Sequence, residues 1–220
     1  MTRAGAIART AGVLGHELRN PLAAAVTGTA LLREMLDAVD PRRGVVDGVA
    51  LELQRLARLI DGYLDLARCG RPQQLPVALA RVCAAVAARR SAPVTVTVDV
   101  AAEAIVSGDA VLIERAIENL VENALHAGAQ AVHVSARVRD HHIALVVADD
   151  GPGVPPALRG RIFEPGFSRS GGTGLGLGIV AEVVKAHAGT VRCEARSKGA
   201  RFVIELPRLA VAIGATPAGS

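Results

Sequence analysis

The chain has 220 residues, half of them apolar and 21% charged, which fits a folded protein of one or two domains and excludes a disordered tail. Aromatic residues make up 2%, with no Trp, and the net charge of +4 is carried by scattered Arg, with Lys only at 185 and 198. That composition speaks against a base-stacking or groove-tracking nucleic-acid binder, and no run of 18 apolar residues supplies a membrane span. Residues 1–15 carry Arg3 and Arg9 without an apolar stretch behind them, so they do not read as a signal peptide. The three cysteines, Cys69, Cys83 and Cys193, are far apart and form no C-x-x-C, which points to free thiols in a reducing, cytoplasmic compartment.

Residues 5–70 read as two helices. Leu14, Leu18, Leu22, Ala25, Val26, Leu32 and Leu36 recur at spacings of three and four, then Asp40-Pro41 breaks the pattern. Val45, Val49, Leu53, Leu56, Leu59, Ile60, Tyr63 and Leu64 form a second stripe. Two helices alone cannot cover both stripes. An antiparallel hairpin that dimerises into a four-helix bundle is the simplest remedy, and packing on the rest of the chain is the alternative. Cys69-Gly70-Arg71-Pro72 reads as a linker.

Beyond it, Val77–Arg89 reads as a helix and Pro93–Asp99 as a strand. Asp109–His126 is a strongly periodic helix with Asp109 as N-cap, and Ala131–Val138 and His142–Ala148 are strands. A Gly/Pro-rich loop of functional length follows over Asp149–Gly172. Gly174–Ala188 is a helix, and Thr190–Ala195 with Arg201–Leu206 makes a final hairpin. The expected fold is α+β: a helical hairpin over 1–70, an α/β sandwich over 71–208 with a mixed sheet and helices on one face, and a tail over 209–220.

Four strings carry chemistry. His16-Glu17-Leu18-Arg19-Asn20-Pro21 places His16 and Asn20 on one helical face, with Glu17 beside the imidazole able to hold one ring N–H and leave the other nitrogen free. Pro21 is expected to kink the helix. Asn119 and Asn123, also i and i+4, present two neutral amide oxygens suited to a Mg²⁺ shared with phosphates. Asp149, ahead of Gly151 and Gly153 at a strand end, can accept a hydrogen bond from the exocyclic amine of adenine. The run Gly172-Thr173-Gly174-Leu175-Gly176 leads into a helix, where backbone N–H groups and the dipole favour phosphate. Phe163 and Phe167 anchor a lid whose Arg169 reaches toward phosphate. Taken singly, each string also fits a solvated helix face or a plain turn.

In this order the strings resemble the bacterial sensor histidine kinases of two-component systems, over about residues 8–207. The resemblance implies a dimerisation and phosphotransfer hairpin, then an ATP-binding domain of the fold shared with gyrase, Hsp90 and MutL. It implies that His16 is the phosphoacceptor, Glu17 its general base or orienting group, and Asn20 a helper in phosphoryl transfer. It assigns Asn119 and Asn123 to Mg²⁺ and nucleotide, with Asn123 the better ligand, and Asp149, Gly151 and Gly153 to adenine. Phe163, Phe167, Gly172, Gly174 and Gly176 complete the nucleotide site. His126 stands where the family often has Lys, the lid is short, and Gly166 interrupts the Phe segment.

The expected activity is therefore ATP- and Mg²⁺-dependent autophosphorylation of His16 in a homodimer, followed by transfer to an aspartate on a response-regulator receiver domain, with no nucleic-acid partner. No sensor, membrane or receiver segment is read in the sequence, so the chain is a piece of a longer kinase or a kinase that takes its signal through another protein. The alternatives are an ATPase of the same fold class and a phosphotransfer scaffold without kinase activity or acting mainly as a phosphatase. Against the ATPase stands Asn119, at the position where that class carries a Glu as base for water.

Overall fold

The computed structural model of the chain describes residues 3–70, 72–90, 94–164, 166, 167 and 174–209, and side chains from Glu17 onward except at 66 and 68. Helix α1 (Arg3–Met35) and helix α2 (Arg42–Cys69) form the hairpin. Their register is set by charge. Arg19 pairs with Asp61 at 2.7 Å and Arg33 with Asp47 at 2.6 Å, so residues in ascending order on α1 meet residues in descending order on α2. In the turn, Asp40 accepts from the backbone N–H of Arg42 at 2.8 Å, and Arg43 Nη1 donates to the Leu36 carbonyl at 2.8 Å, satisfying groups that the two helix ends leave open. Pro21 lies inside α1, which continues through it unbroken. Much of the apolar stripe stays uncovered: Leu18, Leu31, Leu32, Met35, Val45, Val49 and Leu56 are all exposed.

Strand β1 (Leu75–Ala78) pairs antiparallel with β3 (Ile105–Gly108), and helix α3 (Leu79–Ala88) starts where β1 ends. This corrects the expectation of a helix from Val77. Val77 and Ala78 are tied to Val106 and Ile105, and the Leu79 N–H is taken by the Ala104 carbonyl, so helical bonding begins only after that point. Four-residue strands in Ala/Val-rich sequence carry too little alternation to be told from a helix start.

The main sheet has the order β2 (Thr95–Val100), β4 (Ala131–Val138), β5 (His142–Asp149), β7 (Arg201–Pro207), β6 (Thr190–Glu194). The β2–β4 pair is parallel and the rest are antiparallel. Helices α4 (Ala110–His126) and α5 (Gly176–Ala186) join α3 on one face, as expected. α4 buries Leu112, Ile113, Ile117, Leu120 and Val121 against α5's Ile179, Val180 and Val183 and the sheet's Val134, Leu145, Val147 and Phe202. Leu125 is half-buried and packs against the edge of this core. On the other face Val146, Ala148 and Val203 lie buried among charged neighbours, with Arg137 paired to Asp99 and Arg192 to Glu194 and Glu205.

The start of α4 is fixed from three sides. Asp109 caps it by accepting from the N–H groups of Val111 (3.0 Å) and Leu112 (3.3 Å). Its own N–H donates to Nε2 of the buried His187 at 2.9 Å, which puts the ring proton on Nδ1, donated to the Val183 carbonyl at 2.7 Å. Its Oδ2 accepts from the Gln73 N–H at 3.3 Å, tying the inter-domain segment to α4.

The end of α2 rests on the sandwich. A Cβ on Gly62 would stand 3.1 Å from Ile179 Cδ1 and 3.2 Å from Leu175 Cδ1, so the absence of a side chain there lets α2 sit against the start of α5. Beside it, Asp65 accepts from Arg115 Nε of α4 at 2.8 Å, and both Asp65 and Leu64 are buried.

Candidate functional site

β5 ends at the buried Asp149, and the chain then turns through Gly151 and Gly153. Asp149 Oδ1 accepts from Gly151 N–H at 2.9 Å and from Ala200 N–H at 3.0 Å. Those two bonds lock the carboxylate's rotation. Oδ2 has no hydrogen-bond partner among the described residues and remains an acceptor for a ligand. The Ala200 donor comes from the β6–β7 loop, where Gly199 has φ +75°, and a Cβ there would overlap the Asp149 carbonyl oxygen. Gly153, at φ +76°, approaches the same loop: its Cβ would stand 2.7 Å from the Gly199 carbonyl oxygen. Gly199 and Ala200 carry no signal of this role in the sequence. Ser197-Lys198-Gly199 looks like an ordinary turn, and only the fold brings it against Asp149.

Asn119 and Asn123 share a face of α4, as expected. Asn119 is 8% exposed, and its Nδ2 is buried with no partner among the described residues. A buried amide N–H left unpaired costs about 1–3 kcal/mol, so this atom is a donor waiting for an acceptor. Asn119 Oδ1 lies 3.3 Å from the place a Cβ on Gly176 would take, which puts the paired-amide helix directly against the first residue of α5. Asn123 is half-buried and His126 exposed in the last turn of α4.

The expected helix at Gly174–Ala188 begins two residues later. Gly174 has φ +67° and cannot be helical, and the first turn opens at Gly176, while Ala188, at φ 53°, lies beyond the end at Ala186. Gly166 (φ +84°) donates its N–H to the Gly174 carbonyl at 3.0 Å, and a Cβ on Gly174 would come 2.6 Å from the Gly166 carbonyl oxygen. The glycine that interrupts the Phe segment therefore stitches that segment to the glycine run. Phe163 packs edge-on against Phe202 with centroids 6.3 Å apart, and the Arg161 guanidinium stands 5.4 Å from the Phe167 centroid. Arg169, Gly172 and Thr173 lie outside the described residues, and Leu175 is half-buried against Gly62.

In the hairpin, His16 occupies α1 as expected, though its side chain is outside the described set. Glu17 and Asn20 are exposed, and Arg19 between them is held by Asp61. The structure thus brings Asn119 against Gly176, sets Asp149 and Gly153 against the β6–β7 loop and Gly151 against Asp149 and Ala129, and keeps His16, Glu17 and Asn20 on the hairpin. No group of His, Cys, Asp and Glu among the described residues forms a metal cluster by itself. Any cation here would rest on neutral amide oxygens, those of Asn119 and Asn123 on their shared face of α4.

Comparison with known proteins follows the same division. Residues 6–71 match the His Kinase A (phospho-acceptor) domain, and residues 108–210 match the Histidine kinase-, DNA gyrase B-, and HSP90-like ATPase family. The probable sensor histidine kinase TcrY of Mycobacterium tuberculosis is 37% identical over 212 residues, covering 87% of this chain and 44% of that protein. A solved structure of the mycobacterial sensor histidine kinase MprB is 33% identical, with a TM-score of 0.56, covering 61% of this chain and 97% of that one. The chain belongs to the two-component sensor histidine kinases. Among the structures of this family, full-length ShkA in complex with AMPPNP superposes with a TM-score of 0.70 at 28% identity, over 93% of this chain and 47% of that one. The chain spans less than half the length of TcrY. No helix among its described residues is long and apolar enough to cross a membrane. The phospho-acceptor match contains His16, Glu17 and Asn20, and the ATPase-like match contains Asn119, Asn123, Asp149 and the glycine run.

Proposed function

We propose that this chain is an ATP-dependent protein-histidine kinase that phosphorylates its own His16 and passes the phosphoryl group to an aspartate on a response-regulator receiver domain. The observation that carries the reading is Asn119, whose Oδ1 lies against Gly176 at the start of α5 while its buried Nδ2 has no partner among the described residues, with the locked carboxylate of Asp149 in the same domain. The two parts match the two ends of ATP. Asp149 Oδ2 accepts the adenine amine, the backbone N–H groups at the start of α5 receive phosphate oxygens, and Asn119 supplies a further donor. The complex of ShkA with AMPPNP supports a nucleotide in this fold.

Mg²⁺ bound there supplies charge neutralisation on the phosphates, and the Asn123 and Asn119 amide oxygens are the side chains to hold it. The protein's own contribution is positioning. A neutral imidazole nitrogen of His16 attacks the γ-phosphorus, the bond from γ-phosphorus to the bridging oxygen breaks, and ADP leaves. Glu17, the next residue, is the carboxylate that holds the proton on the other ring nitrogen in this reading. Phosphohistidine is then the donor for the receiver aspartate.

The uncovered stripe of Leu31, Leu32, Met35, Val45 and Val49 supports a second copy of the hairpin as its cover, completing a four-helix bundle. The three free cysteines and the ATP requirement support a cytoplasmic setting.

The test is incubation with γ-labelled ATP and Mg²⁺. Acid-labile, alkali-stable label that disappears in His16→Gln establishes the kinase. Free phosphate without labelled protein would make the chain an ATPase, and absence of nucleotide binding would make it a scaffold.

A further inference from the structure

Asp150, directly after the adenine-site carboxylate, contacts neither nucleotide nor cation in the proposed reaction, yet it is among the most heavily engaged carboxylates on the sheet. Its Oδ1 accepts two consecutive backbone N–H groups, those of Gln130 and Ala131, each at 2.9 Å. Its own N–H donates to the Ala131 carbonyl at 3.3 Å. These bonds hold its carboxyl below the usual carboxylate range, the Ala131 and Gln130 N–H groups contributing most. Oδ2 lies 3.8 Å from Lys198 Nζ.

The placement matters more than the count. The last β4–β5 ladder pair is Val132 with Asp149, so Asp150 stands where β5 leaves the sheet and its backbone would otherwise splay. Successive side chains of a strand point to opposite faces. Asp149 thus turns inward, toward the Ala200 N–H, while Asp150 reaches across to the segment that leaves α4 through Gly128 (φ +88°) and enters β4. The Gln130 carbonyl also accepts the Thr95 N–H of β2, which makes residue 130 a rigid post. Lys198 precedes Gly199 and Ala200, so the two neighbouring carboxylates hold the Asp149 backbone between the β6–β7 loop and the α4–β4 turn.

We propose that Asp150 is a specificity-positioning residue: by anchoring the end of β5 to the Gln130 and Ala131 N–H groups it fixes where Asp149 Oδ2 stands, and so sets the preference of the site for a 6-aminopurine over a 6-oxopurine nucleotide. This rests on the proposed role of Asp149. The chemistry is one of sign. Adenine offers Asp149 an N–H donor at its 6-position, and guanine offers a carbonyl oxygen that repels a carboxylate at the same point. Such discrimination depends on placing one oxygen to within a few tenths of an ångström, and a carboxylate on a frayed strand end can swing to avoid the repulsion. What the brace requires is an acceptor with two lone pairs, not a charge, so an asparagine there would keep it.

The experiment measures dissociation constants for ATP and GTP by titration calorimetry with the full chain, alongside melting temperature. Wild type is expected to favour ATP. Asp150→Ala is expected to weaken ATP about tenfold with little change for GTP, so that the ATP:GTP ratio falls by about the same factor. Asp150→Asn is expected to restore the ratio. Asp150→Ser, whose hydroxyl is too short to span both N–H groups, repeats the test where the alanine chain does not fold. Equal weakening of both nucleotides, or a lower melting temperature with an unchanged ratio, would show a merely structural brace and overturn the proposal. Failure of Asp150→Asn to rescue overturns it as well. A wild type that binds ATP and GTP alike removes the amine contact of Asp149 itself, and the proposal falls with that reading rather than alone.

Discussion

Gly199 and Asp149 touch backbone to backbone, and there is no room between them for a methyl group: a Cβ at residue 199 would overlap the Asp149 carbonyl oxygen. The contact delivers the Ala200 N–H to the Asp149 carboxylate. It joins the loop between the last two strands to the end of β5. Gly199→Ala is therefore expected to do two kinds of damage. The positive φ of +75° strains any side chain, and the overlap forces the loop away from Asp149. Thermal denaturation should show a loss of about 2 kcal/mol, and nucleotide affinity should fall with it. Gly160→Ala, where a Cβ meets nothing within 4 Å, is the control, and an equal effect there would remove the argument.

Asp149→Asn separates shape from charge. The asparagine Oδ1 can still accept from Gly151 and Ala200, so the fold should survive within about 1 kcal/mol. Its NH₂ then faces the adenine amine, donor against donor. ATP binding should weaken roughly 10- to 100-fold, the range of one lost charge-assisted hydrogen bond. Fluorescent-nucleotide titration measures this, and unchanged affinity would move the adenine elsewhere.

The ion pair of Asp65 and Arg115 at 2.8 Å joins the hairpin to α4. Asp65 is 5% exposed, while Arg115 keeps some contact with water and also reaches Glu118 at 3.5 Å. Removing one partner leaves the other badly placed. Asp65→Ala should destabilise the folded chain by about 2 kcal/mol, below the cost of breaking a fully buried pair. Exchanging the charges, Asp65→Arg with Arg115→Asp, should recover more than half of that loss in urea unfolding. No recovery would mean that packing rather than pairing holds the two parts together.

Asp40, in the hairpin turn, has its carboxyl lowered to about 2, chiefly by the Arg42 side chain. The folded value lies below the unfolded one of 3.8, so the group's contribution is complete above the unfolded value and disappears as pH falls through about 2. Helicity followed by circular dichroism from pH 5 to 1.5 should fall more steeply for wild type than for Asp40→Asn. Coincident acid profiles would leave the turn pair without effect on stability.

The thiols offer a test of burial. Desolvation pushes Cys83 up to about 12 and Cys69 to about 11, so neither carries appreciable thiolate at pH 8. Cys83 is also sealed in the core beneath α3. Iodoacetamide at pH 8 should leave Cys83 unmodified until the chain is unfolded, as read by peptide mass spectrometry. Rapid labelling in the folded state would contradict the packing of α3.

Periodicity made the long elements readable. The stripes of α1 and α2, the Asp109 cap and the face shared by Asn119 and Asn123 all follow from spacings within one helix. What escaped depends on contacts between distant segments. β1 and β3 are four-residue strands that owe their form to each other and to the bridge from Val106 to Arg208. The start of α5 moved because Gly174 is used to meet Gly166, a pairing that no local pattern encodes. The same holds for the braces around Asp149, since Ala200 and Gln130 come to it only once the sheet is assembled.

Asp61 and Asp65 stand four residues apart on α2, hence on one side of it, and each is neutralised by an arginine from a different element. The first belongs to the turn that carries His16, the second to the helix that carries Asn119 and Asn123. Helix α2 therefore clasps, within a single turn of its length, both the α1 segment that carries His16 and the α4 helix that carries the two asparagines.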